Sequence, residues 1–350
     1  MLKKLTAYFQ KYERHIGIAT LIGGFIFDNF FLVSPDNVRD NIGFILYLSI
    51  ASLSILLINI FRKGYVHSIA LFIMQFVLGG LFSMSLVFYS RGATLEASWP
   101  FLMTLVLYMI ANEFLKKHYL LLAAQISAFF IALYTYLIFV APVLLRRMDD
   151  YVFLLSGAAS LVFITLFIII LSFVNKAEIK KSRKALVTVI PSIFILINVF
   201  YFTNLIPPIP LLLKDMSVHH SVMRVNAEYI VESEEKENGS FFSPIEVHVA
   251  PGEDIYVFSS VFAPVSLTAD LRHVWQYYDE RSGRWSARSD VRIPIYGGRA
   301  GGYRMYSVKS NLEEGLWRVD VTTARGQIIG RIKFKVEKVE TVPKLVTEIK

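Results

Sequence analysis

Six residues in the last third of the chain have the types and spacing for ligand chemistry: His273, Trp275, Arg304, Ser307, Lys309 and Arg318. His273 and Trp275 stand two apart in a strand-forming run, and alternate positions of a strand share one face. An exposed indole beside guanidinium, ammonium and hydroxyl donors would hold a sugar, a phosphorylated lipid headgroup or a partner's carboxylate, the ring supplying area and the arginines paired hydrogen bonds. The same spacing also describes a sandwich core, with Trp275 and Trp317 turned inward and Arg318 and Asp320 paired on the surface.

A second set lies in apolar surroundings. Asp28, next to Asn29, is an acid inside an oily run, the pattern of a proton or cation site. It stands about five residues from its helix end, roughly 7.5 Å at helical rise, where water reaches it. Gln75, Gln125 and Asn198 are uncharged and suit hydrogen bonds between helices, and Glu113 precedes Lys116 and Lys117 at pairing distance. A transporter or channel built on these polar groups is therefore the alternative to a binding protein.

Other signals carry less. The glycines at 297, 298, 301 and 302 have no following helix and no Gly-Lys-Ser/Thr, so a hairpin turn needing positive φ is expected in place of a phosphate loop. Adjacent His219 and His220 point to opposite faces of a strand and have no third ligand at metal spacing. The chain has no cysteine, no His-Glu-x-x-His and no Gly-x-Ser-x-Gly. These readings point to no metal, no cofactor and no enzymatic constellation.

The elements that position these residues fall into two kinds. The 350 residues are 55% hydrophobic with a mean hydropathy of +0.50, which requires lipid as a solvent. Apolar runs at Ile16–Val33, Ile42–Phe61, Ser68–Ser90, Trp99–Leu115, Tyr119–Val140, Tyr151–Val174 and Ala185–Ile206 predict seven transmembrane helices. Small residues (Ala19 with Gly23, Gly79-Gly80, Ser156 with Ser160) predict close helix contacts. Pro191 predicts a kink in the seventh helix.

Charge orients the chain. Residues 1–216 carry 18 Lys+Arg and 10 Asp+Glu, whereas residues 217–350 carry 18 of each, so the net +8 lies beside the helices and nucleic-acid binding is disfavoured. Alternate loops hold 13 basic residues on one side against five on the other, namely Arg39, Arg91, Arg146, Arg147 and Lys214. Cationic loops stay inside, which predicts a cytoplasmic N-terminus and a C-terminal domain on the outer side of the membrane. The first apolar run has no small-residue cleavage site and is expected to remain as an uncleaved helix.

The expected layout is a cytoplasmic amphipathic segment over 1–14, the membrane domain over 15–206, a Pro-rich linker over 207–216, a β-sandwich over 217–338 and a polar tail over 339–350. About eight short strands at hairpin spacing predict an antiparallel, Ig-like sandwich. In the last two, Trp317, Val319 and Val321, then Ile332, Phe334 and Val336, alternate with polar residues, one face inward and one to water.

The run Leu271-Arg272-His273-Val274-Trp275, followed by Ile293-Pro294, Gly297-Gly298-Arg299, Tyr303-Arg304, Ser307, Lys309 and Gly315 with Trp317-Arg318-Val319-Asp320-Val321, resembles a bacterial family, the domain-of-unknown-function 2914 family. The resemblance covers about the last 80 residues of the domain, ending with Gly330 and Phe334. It implies a domain placed C-terminal to membrane spans in a bacterial envelope, which with the charge-based orientation gives an expected inner-membrane protein with its C-terminal domain in the periplasm. It implies no catalytic residue. The expected function is a membrane-anchored sandwich that binds an envelope glycan, a lipid headgroup or a protein partner without catalysis.

Overall fold

The computed structural model describes residues 22–92, 94–114, 121–226, 228–235, 245–264, 267–297 and 301–350. The amphipathic segment expected over 1–14 lies outside them. The chain forms two compact units, one of residues 1–91 and 98–210, the other of 92–97 and 211–350.

The first unit is helical: α1 (Ile22–Phe31), α2 (Val38–Ile60), α3 (Tyr65–Arg91), α4 (Leu95–Phe114), α5 (Leu122–Leu145), α6 (Asp150–Val174) and α7 (Lys176–Phe202). Five of them (α2, α3, α5, α6, α7) are long and apolar enough to cross a membrane. Short polar caps start them. The Asn37 side chain accepts from the backbone N–H groups of Arg39 and Asp40, and Asp149 does the same for Val152. Arg91 donates to the carbonyls of Asn29, Leu32 and Val33, placing a cation on the electronegative end of α1.

The loop expected around Lys176–Lys184 is instead helix. Only Asn175 separates α6 from α7; it caps α7 through the Glu178 N–H and accepts from Arg62. Charged residues with good helix propensity simply extend the helix beyond its apolar part.

Packing explains the small residues. In α5, 72% of the most apolar window is buried against 28–33% in α2, α6 and α7, so α5 is the central helix. A side chain at Gly157 would meet the Tyr134 hydroxyl and the Phe194 ring, and one at Gly80 would enter the Tyr47 ring. Gly23, by contrast, faces open space. Phe44, Phe88, Tyr136 and Phe139 form a ring cluster between α2, α3 and α5, with centroids 5.0–5.8 Å apart.

The second unit is β-rich, with eleven strands among the described residues: β1 (Leu212–His219), β2 (Ser221–Val225), β3 (Glu228–Glu234), β4 (Ile245–Val249), β5 (Asp254–Phe262), β6 (Thr268–Asp279), β7 (Arg284–Tyr296), β8 (Tyr303–Ser310), β9 (Gly315–Thr323), β10 (Ile328–Lys338) and β11 (Leu345–Ile349). They form three sheets, ordered β1-β5-β8, β4-β10-β9-β6-β7 and β11-β3-β2. All pairs are antiparallel except β4 with β10, which run parallel.

The five-stranded sheet packs on β1-β5-β8 through Val247, Val257, Trp275, Trp317, Phe334 and Val336. The opposite face of β5 meets the third sheet, where Phe258 packs with Val222, Tyr229 and Val231. The β1-β5-β8 sheet is thus covered on both faces, which is why β5 is buried over most of its length.

Several expectations change. The segment taken as linker starts β1, with Leu212 opposite Phe262 and Leu213 lying against Gly330. β2 and β3 form a hairpin that turns at Asn226, which has φ 57°. Within the segment read as a polar tail, Leu345–Ile349 form β11 on β3. The glycine segment after Tyr296 joins two different sheets instead of closing a hairpin, and Gly302, with φ +87°, passes close to Ser260.

Candidate functional site

Strand parity decides where the six predicted residues go, and it separates them. On β6, odd positions face the neighbouring sheet: His273 and Trp275 are fully buried. Ser307 of β8 reaches them from the other side. Its hydroxyl accepts from Trp275 Nε1 at 2.9 Å and lies 2.8 Å from His273 Nδ1, while His273 Nε2 lies 2.8 Å from the Ser259 hydroxyl of β5. Burial pushes the His273 pKa down to about 4, so the ring is neutral and exchanges one donor and one acceptor with the two serines.

Of the two readings of Trp275 the core one holds: the indole is buried, a pin between sheets. Among the described residues no acid orients the ring, and the Ser-His contacts satisfy polar groups that burial would otherwise penalise. Lys309 sits at the rim of the same interface, its ammonium 5.7 Å from the Trp317 ring centre. Arg304, at an even position of β8, faces the third sheet and donates to the Lys350 carbonyl at 2.9 Å.

Arg318 is on the outer face of the five-stranded sheet, where the remaining charges pair off. Arg272 meets Asp290 and Arg292 meets Asp270, both at 2.6 Å; Arg331 grips Asp320 at 2.6 and 2.8 Å; Lys333 reaches Glu96 at 2.6 Å. Arg318 differs. Its Nε and Nη2 donate to Gln276 Oε1 at 3.1 and 2.7 Å, and its guanidinium lies 4.4 Å from the Trp285 ring centre.

Trp285 in turn packs against Tyr278, centroids 5.1 Å apart. The result is a half-exposed patch of Trp285, Tyr278, Gln276 and Arg318, with a cation braced by neutral groups and, among the described residues, no acceptor bonded to Nη1. Partial burial, then the nearby Arg331 charge, lowers the Arg318 pKa, although a guanidinium stays charged. Such a patch offers a flat apolar platform beside a fork of donors, the elements of carboxylate and sugar recognition.

Trp285, Tyr278 and Gln276 were absent from the predicted set. The signal existed in the Ser282-Gly283 turn: closing that hairpin, with Gly283 at φ +64°, puts Trp285 opposite Tyr278.

Three of the four intramembrane side chains are engaged helix to helix: Ser83 donates to Asp28 at 2.5 Å, Asn59 to Gln125 Oε1 at 3.2 Å, and Asn198 to the Tyr134 hydroxyl at 3.2 Å. At Gln75 it is the main-chain carbonyl that accepts, from Asn112 at 3.0 Å. A crevice among α4, α5 and α7 is lined by Phe101, Tyr108, Ile131, Ile193 and Phe200, and its Thr104 and Thr135 hydroxyls bond to carbonyls of their own helices. Among the described residues no group of three or more His, Asp or Glu is placed to hold a metal ion.

Residues 268–336 match a protein family described as "Protein of unknown function (DUF2914)". The matched segment runs from β6 to β10 and contains both the buried His273-Trp275-Ser307 pin and the Arg318-Trp285 patch. No curated protein matches the chain. Among solved structures, a beta-glucosidase from Listeria innocua is similar at 12% identity with a TM-score of 0.21, covering 37% of this chain and 16% of its own; its glucose complex gives 12%, 0.20, 35% and 16%. The chain thus spans under a fifth of those enzymes' length. A Pseudomonas fluorescens alkylpurine DNA glycosylase, AlkC, bound to DNA with an abasic site analog, is similar at 10% identity and a TM-score of 0.20 over 79% of this chain and 83% of its own.

Proposed function

We propose that this is a bacterial inner-membrane protein whose seven helices anchor a periplasmic β-sandwich-like domain, and that this domain binds an envelope glycan bearing carboxylate groups. Catalysis is not part of this reading. The observation that carries it is Arg318, a cation held against the Trp285 ring and the Gln276 amide oxygen while its neighbours are neutralised by acids. A guanidinium so placed keeps its charge for a ligand, and aromatic rings beside it suit the apolar face of a sugar.

The test is calorimetric titration of the full-length protein in detergent with oligogalacturonate, against maltooligosaccharide as an uncharged control. The uronate is expected to bind and the neutral sugar not. Arg318→Gln and Trp285→Ala are each expected to weaken binding at least tenfold, about 1.4 kcal/mol, with the unfolding temperature unchanged. Equal binding of both sugars, or uronate affinity unaffected by Arg318→Gln, overturns the reading.

A further inference from the structure

The end of the helical unit where α2 turns into α3 and α6 into α7 carries more positive charge than its own acids neutralise. Lys176, Lys180, Lys181, Arg183 and Lys184 occupy the first nine residues of α7, with Glu178 as the sole acid among them. Glu178 already has a partner, Lys181 at 3.5 Å. Among the described residues no carboxylate pairs with Lys176, Lys180, Arg183 or Lys184, and all four are exposed.

Because this stretch is helix, the four cations are gathered on one side. At about 100° per residue they fall within an arc of roughly 100°, and Lys176, Lys180 and Lys184 follow one another at i, i+4 spacing, where like charges repel. A further cation joins from 113 residues away: Arg62, beside Lys63 in the α2–α3 turn, donates from Nη2 to Asn175 Oδ1 at 2.8 Å. The same oxygen accepts the Glu178 N–H that starts α7, and Asn175 is buried. Its amide is neutral, so the Arg62 charge adds to the row uncompensated.

We infer that this surface, Arg62 and Lys63 together with Lys176, Lys180, Arg183 and Lys184, binds the phosphates of anionic phospholipid headgroups. Phosphate oxygens relieve the repulsion along the row and take the hydrogen bonds that four exposed cations offer.

What borders the cations favours a lipid over a soluble anion. Val187 continues the same arc one turn on and is 67% exposed, and Phe173 at the end of α6 is 86% exposed. Phe61 and Tyr65 stand exposed on either side of Arg62 and Lys63, the placing of aromatic residues at a headgroup layer. A phospholipid matches both parts, its phosphate to the cations and its acyl chains to the apolar side chains next to them, and lysine and arginine stems reach across that boundary. From Lys176 to Lys184 the helix rises about 12 Å, a row longer than one phosphate covers, so the surface holds more than one lipid. Orienting the chain needs only the number of cations; a common face and an arginine fixed by Asn175 go beyond that.

Native mass spectrometry of the full-length protein in detergent, mixed with equal amounts of phosphatidylglycerol and phosphatidylcholine, tests this by counting the lipids retained. A cation near an anionic headgroup contributes about fivefold, so the wild type is expected to retain phosphatidylglycerol over phosphatidylcholine by roughly fivefold or more. Combining Lys180→Gln, Arg183→Gln and Lys184→Gln is expected to bring that ratio below about twofold. Arg146→Gln with Arg147→Gln, which removes cations from the α5–α6 turn, is expected to leave it unchanged. Equal retention of the two lipids by the wild type, a preference that survives the triple substitution, or an equal loss in the Arg146→Gln/Arg147→Gln variant overturns the inference and leaves the cations with orientation alone. Should the triple variant not fold, Lys180→Gln and Lys184→Gln taken singly, each expected to reduce the preference about twofold or more, decide.

Discussion

His273 is fully buried, and its imidazole is held neutral with a pKa of about 4. The unfolded chain takes up that proton near pH 6.5, the folded one only near 4, so the unfolded state binds more protons in between and stability falls as pH drops. The gap amounts to about 3 kcal/mol, an upper figure for one group. Acid unfolding of the full chain, followed through Trp275 and Trp317, is expected to begin below pH 6.5; in His273→Gln the baseline at pH 7 is expected to be lower and the slope between pH 6.5 and 4 shallower. Both were open readings of the sequence at this position, because period 2 tells which residues share a face and not which face is covered. His273 and Trp275 do share one, as alternation requires; the serines that satisfy them come from β5 and β8, 14 and 34 residues from His273, and no local pattern announces such partners.

At the scale of elements, local chemistry was legible where it set the structure and illegible where distant pairing did. The apolar runs marked α2, α3, α5 and α6 to within a few residues, and the alternation of Trp317-Val319-Val321 and Ile332-Phe334-Val336 marked β9 and β10 and their inward faces, but Asp320 and Thr322, expected to meet water, are buried, and Asp320 pairs with Arg331 instead of Arg318. Leu212–His219 and Leu345–Ile349 are strands because β5 and β3 offer them open ladders, so their sequences alone resembled a linker and a tail. Gly330 shows what such pairing demands: a Cβ there would enter the Leu213 side chain. Gly330→Val is expected to destabilise the β unit by about 1–3 kcal/mol through overpacking. Adding Leu213→Ala should restore part of that loss, and urea unfolding of the double-mutant cycle measures the coupling.

At the scale of the whole molecule, the division into a lipid-soluble helical unit and a β-rich unit was visible in hydropathy and in the confinement of excess positive charge to residues 1–216. Orientation is a separate matter, resting on the imbalance of basic residues between alternate loops. A reporter fused after Lys350 that is active only in the periplasm is the expected outcome, and activity confined to the cytosol would reverse the proposed topology.

One pairing in the β unit bears on how the chain reaches its final form. Parallel neighbours cannot be joined by a tight turn, so β4 must wait for β10 while β5 to β9 are laid down between them, and β3 likewise waits for β11. Both early strands remain with an unfilled edge until these later stretches arrive. Vectorial delivery across a bilayer would therefore leave this unit exposed to misassociation for most of its passage, and its closure would come in a late, concerted step.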